Sequence, residues 1–201
     1  VLHARVPDSV DSAARRALVV LLAGLAVASA GPVLDLPVLV TLGMATWVAG
    51  AGLLAIEGWR ESRSMPPATF AGWSLAAAFV WVLVGAIILG VLAAIAPDWE
   101  SLRSQYLAVL GPLVVGFGTQ IVIGALSYLL PVVALGSPSA AKAGAEILDR
   151  GAAFRVVAFN GAIALYLTPM PSLARVLLSR VVAGVVTSFL ILAARAVIVG
   201  R

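Results

Sequence analysis

Between charged and proline-bearing connectors, the chain consists of uncharged apolar runs, each close to the ~20 residues with which an α-helix crosses ~30 Å of hydrocarbon. That pattern leaves few folds open. Inside a bilayer every backbone N–H and C=O needs an internal partner, which only helices and closed barrels provide. Barrel strands alternate apolar and polar residues, whereas a run such as FVWVLVGAIILGVLAAI (79–95) is apolar throughout. The sequence therefore predicts an all-α, polytopic helical membrane bundle of about six transmembrane helices.

Spans are expected near 15–31, 36–56, 70–95, 107–135, 152–168 and 173–198, after a polar leader over 1–14. GPVLDLP (31–37) reads as a tight connection, and the paired prolines ending EGWRESRSMPP (57–67) forbid continued helix. The third span closes at Pro97, Asp98 and Trp99. The fourth contains Pro112 and Pro131 and is longer than one crossing needs, so it should be tilted, kinked or partly outside the hydrocarbon. PSAAKAGAEILDR (138–150) reads as a short interfacial helix with Lys142 and Glu146 four residues apart. Trp47 and Trp81 fall mid-span, where they fill core volume, while Trp59, Trp73 and Trp99 fall near interfaces.

Charge then orients the spans. Only 11% of residues are charged and 62% are hydrophobic, against about 25% charged in soluble domains. The net charge of +4 is spread over the connectors as membrane topology distributes it, so no nucleic-acid partner is expected. With six crossings, one side holds Arg5, Arg15, Arg16, Arg60, Arg63, Lys142, Arg150, Arg155, Arg195 and Arg201, and the other Arg103, Arg175 and Arg180. The bias places both termini in the cytoplasm, on the inner side of a cell membrane. With no cysteine and a single histidine, His3, the chain has no ligand set for a disulfide, thiolate, bis-histidine haem or three-histidine copper site. It starts at Val1 without a cleavable signal, as a fragment or separate subunit would.

Polar residues inside the spans are the functional candidates. Gly116, Gln120, Gly124, Ser127 and Pro131 share one helical face. An amide in hydrocarbon needs a partner and small residues admit a close neighbour, so this face should turn into the bundle. Asn160, in FNGAIALY, is the natural partner for Gln120. Arg180 lies eight residues beyond Ser172, roughly 12 Å into its span, where it either snorkels outward or meets a carboxylate, a haem propionate or an anionic headgroup. Gln120, Ser127, Asn160 and Arg180 thus either line a cavity or serve as helix-packing contacts. Glu57 is an interfacial charge near Arg60 and Arg63. No nucleophile–base pair, phosphate-cradling glycine loop or paired intramembrane carboxylate occurs.

Five strings carry a resemblance: PPATFAGWSLAAAFVW (66–81), APDW (96–99), GFGTQIVIGALSYLLPVVALGSP (116–138), AEILDRGAAFRVVAFNGA (145–162) and PMPSLARVLLS (169–179). Together they resemble the membrane-spanning region ahead of the cupredoxin domains in actinobacterial multicopper oxidase or copper nitrite reductase-type proteins. The resemblance implies a non-catalytic membrane module, an anchor or scaffold, of a respiratory or copper-dependent redox assembly. Its partners would be the lipid bilayer, other membrane helices and a copper-protein domain on the outer face. Haem or copper would sit in partner segments, with no cofactor in this chain. The polar stripe of the fourth span also fits a different role, a small-solute transporter or channel subunit, although no intramembrane carboxylate is present for coupling.

Overall fold

The computed structural model describes residues 8–64, 68–134 and 137–200, which are helical throughout apart from short connections. Among the described residues five helices are long and apolar enough to cross a membrane, and the all-α bundle expected from the sequence is what forms. The described chain divides into two compact units. One draws on residues up to 66 and 83–109, the other on 67–82 and 110 onward.

In the first unit, α1 (Asp8–Leu34) and α2 (Pro37–Ser64) form an antiparallel hairpin. The expected break at GPVLDLP is shorter than its prolines suggest. Pro32 is accommodated in the last turn of α1, and Pro37 opens α2, where its missing N–H has no helical partner to lose. Between them Asp35 takes a left-handed conformation (φ 58°), and the Leu36 N–H donates to the Gly31 carbonyl at 3.0 Å, closing the helix with a Schellman-type bond. Within the polar leader, residues 8–14 are helical and continuous with α1, while residues 1–7, with His3 and Arg5, lie outside the described residues.

Glycines set the closeness of this hairpin. A Cβ on Gly24 would lie 2.5 Å from the Trp47 amide nitrogen, and one on Gly43 would lie 2.6 Å from the Ala28 Cα. Gly31 and Gly50 meet Val40 and Leu21 in the same way. Gly24/Gly31 and Gly43/Gly50 are each spaced by seven, two helical turns, which keeps both members of each pair on the seam. The polar end of α2 remains helical in LAIEGWRESRS, eight residues past the expected end at 56, as Arg60 pairs with Glu57 at 2.9 Å and Arg63 sits 5.4 Å over Trp59. Ala28, Val40, Met44, Ala86, Ala93 and Leu102 form the core of this unit. The last three come from the second half of α3 (Phe70–Ile95) and from α4 (Trp99–Ser104), a short helix capped by Asp98 where the sequence suggested only a connection.

The fourth apolar stretch is one helical path with a change of pitch: α5 (Leu107–Leu110), whose first three residues belong to the first unit, then, in the second unit, a π-helical segment over Gly111–Thr119 and α6 (Gln120–Ala134). Pro112 lies inside this continuous path, near the start of the π segment, and withholds one backbone N–H where the pitch changes. α7 (Pro138–Leu148) is capped by the Ser137 hydroxyl, which accepts the Ala140 N–H at 3.2 Å, and buries Gly144, Ile147 and Leu148. α8 (Ala152–Tyr166) and α9 (Ser172–Gly200) complete the unit. Phe70, Ile123, Ile147, Leu148, Phe189 and Ala196 form its core.

Among the described residues, five of the six expected spans fall on these long apolar helices and the sixth falls on the shorter apolar α8. The five qualifying helices are those of residues 12–34, 37–60, 70–95, 107–134 and 172–199. α8 has 15 residues, which at ~1.5 Å per residue reach ~22 Å, short of a ~30 Å hydrocarbon core. Gly151 starts it late and the Pro169–Met170–Pro171 turn ends it early.

Candidate functional site

The polar residues of the second unit converge on one side-chain cluster. Gln120, 1% exposed, and Asn160 form a reciprocal amide pair: Gln120 Nε2 donates to Asn160 Oδ1 at 3.0 Å, and Asn160 Nδ2 donates to Gln120 Oε1 at 3.1 Å. The second hydrogen of each amide goes to the carbonyl four residues back on its own helix, Gly116 at 2.7 Å and Val156 at 2.7 Å. Those two carbonyls fix which end of each amide carries nitrogen. Trp81, mid-way along α3 and nearly buried, completes the cluster by donating its indole N–H to Asn160 Oδ1 at 2.6 Å. Every donor hydrogen of both amides is thereby used, and the Asn160 oxygen accepts twice.

The pitch change explains why Gln120 sits here. Where the π segment gives way to α6, the Gln120 backbone N–H donates to Phe117, three residues back, in place of Gly116. Its side-chain amide supplies the Gly116 carbonyl with the donor that its own backbone withholds. Gly116 must lack a side chain because Trp81 lies against it: a Cβ there would be 2.5 Å from Trp81 Cγ. Gly124 repeats the pattern two turns on, facing Ser74 and Ala71 of α3. The sequence expects Trp81 only to fill volume. Its hydrogen bond becomes visible only once the helices are in place.

Ser127 is buried on the same face of α6, but its hydroxyl donates to the Ile123 carbonyl of its own helix at 2.7 Å. Arg180 does not join the cluster. It is exposed on α9, nine residues before the core residue Phe189, which at ~100° per residue places it on the opposite face. Arg175, one turn earlier, lies 5.9 Å from the Tyr166 ring.

A second constellation, unforeseen from sequence, surrounds Arg155. Counted above among the connector cations, it lies in the first turn of α8 and is 5% exposed. Its Nη2 donates to the Leu148 carbonyl, its Cζ lies 3.9 Å over the Phe70 ring, and its Nε and Nη1 have no partner. Asp149 next to it accepts the Phe70 N–H at 2.8 Å and so ties α7 to the start of α3. The available signal was spacing: Arg155, Phe159 and Ala162 recur at i, i+4 and i+7, one face of a buried helix.

Among the described residues no three His, Asp or Glu side chains gather as a metal site. No protein-family model, curated protein or solved structure matches the chain. The likeness to copper-protein membrane regions thus rests on the quoted strings alone.

Proposed function

We propose that this chain is a non-catalytic, multi-pass membrane module whose intramembrane polar residues hold helices together. The observation that carries this reading is the saturation of the Gln120–Asn160–Trp81 cluster. A solute path or cofactor wall presents free donors and acceptors to its cargo, whereas these amides spend theirs on each other, on Trp81 and on their own backbones. Counting α8 as a sixth crossing, on a locally thinned bilayer, places both termini in the cytoplasm. On the resemblance, the partner is a copper-dependent redox protein, with Arg180 on the outward face of α9 available to a neighbouring chain.

The test is purification from the native membrane under mild detergent. Copper or haem absorbance co-eluting with the chain supports membership of a redox assembly, and metal-free material with no co-eluting chain refutes it. The transporter reading predicts instead a solute that raises thermal stability in wild type and fails to do so in Gln120→Leu.

A further inference from the structure

We propose that the first turn of α8 and the groove between α8 and α9 bind an anionic phospholipid, its phosphate on Arg155 and Arg150 and an acyl chain along the groove. Three independent features meet there. The first is the Arg155 guanidinium, buried with Nε and Nη1 unpartnered. Buried donors without acceptors are costly, and the nearby carboxylate of Asp149 accepts the Phe70 N–H and makes no hydrogen bond to either nitrogen.

The second is the start of α8. Gly151, left-handed at φ 66°, occupies the N-cap and offers no side-chain acceptor; the Ala152 N–H donates to the Asp149 carbonyl at 3.1 Å, which leaves the next N–H groups of the turn, at Ala153 and Phe154, and the positive end of the helix dipole to face an anion. The third is the groove, about 460 Å³, which Arg155 lines together with Arg150, Phe154, Val181, Val185 and Leu192. That volume lies within the ~300–1,000 Å³ range of ligand sites. Its lining is apolar apart from the arginines and Ser188, so its occupant combines one anionic group with hydrocarbon. A free phosphate satisfies the arginines and leaves the groove empty; a phospholipid fills both. Arg155 sits three residues into α8, roughly 5 Å along its axis, a depth suited to a lipid phosphate. The proposal rests on a bilayer setting and is independent of any redox partner.

The experiment titrates the purified full chain, in uncharged detergent, with phosphatidylglycerol, with phosphatidylcholine of the same acyl chains, and with inorganic phosphate, following Tm and bound lipid by native mass spectrometry. Phosphatidylglycerol should raise Tm saturably while the other two leave it unchanged. Arg150→Gln, at an exposed side chain, and Arg155→Met should each weaken the apparent affinity by roughly tenfold or more, the scale of a lost charge-assisted hydrogen bond. If Arg155→Met does not fold, the Arg150→Gln arm decides. An equal response to phosphatidylcholine, an equal response to phosphate alone, no response to phosphatidylglycerol, or an unaltered response in Arg150→Gln would each overturn the proposal.

Discussion

Replacing Gln120 by Leu removes the two bonds that join α6 to α8 through the amide pair, at 3.0 and 3.1 Å. Interhelical hydrogen bonds in membrane proteins contribute about 0.6 kcal/mol each on average and up to about 1.7, so the pair accounts for ~1–3 kcal/mol. Asn160→Leu loses the same two bonds and also strands the Trp81 indole N–H, a further ~1–3 kcal/mol for a buried unsatisfied donor. Once Asn160 is gone, Gln120 has no cross-helix amide to meet, and its replacement adds little. The double variant should therefore be more stable than the sum of the singles implies, by ~1–3 kcal/mol of coupling. Equilibrium unfolding in mixed micelles as the SDS mole fraction rises measures all four corners of the cycle. Single effects that add within about 0.3–0.5 kcal/mol, the behaviour of independent sites, would refute the amide pair as the link between these helices.

At the α1–α2 seam, Gly43→Ala sets a methyl group against the Ala28 backbone and should cost ~1–3 kcal/mol in the same assay, while Gly52→Ala, with nothing within 4 Å of its Cβ, should be neutral or stabilising by up to about 1 kcal/mol. The buried Ser74 hydroxyl has no partner, so Ser74→Ala should leave stability unchanged or raise it, and a loss above about 1 kcal/mol would show a hydrogen bond there. At the start of α4 the Ser101 backbone N–H, followed by its hydroxyl, holds the Asp98 carboxylate below its ordinary value of 3.8. A depressed folded-state value means the cap contributes fully above the ordinary value and fades as pH falls through the lower one. Protection of the Ser101 amide, corrected for intrinsic exchange, should drop across that acidic window, and Asp98→Asn should flatten the drop.

Hydropathy made the apolar spans legible because the bilayer selects on composition and length, and α3 begins and ends where the sequence places it, at 70 and 95. What hydropathy does not carry is which neighbour a residue meets. Gly43 and Gly50 stand out by spacing, but their counterparts Gly24 and Gly31 matter only because α1 folds back along α2. Pro112 and the glycines at 116 and 118 signal an interruption without specifying that the helix widens to a π pitch. Gln120 and Asn160 declare themselves as amides in hydrocarbon. The third member, Trp81, looks like any mid-span aromatic until its indole N–H reaches Asn160. Arg155 was hidden by its place five residues after a turn, where a cation normally belongs to the connector. Its burial comes from α7 and the start of α3 closing over it.

The account stands on a polar face of α6 that is enclosed by protein. Because the chain contains no cysteine, Ser127→Cys places a single, nearly isosteric thiol on that face, at a position 5% exposed. In proteoliposomes the folded variant should resist a membrane-impermeant methanethiosulfonate reagent from both sides and react fully once unfolded in SDS. Rapid labelling of the folded protein from either side would place water along α6 and contradict the packing role assigned to Gln120, Ser127 and Asn160.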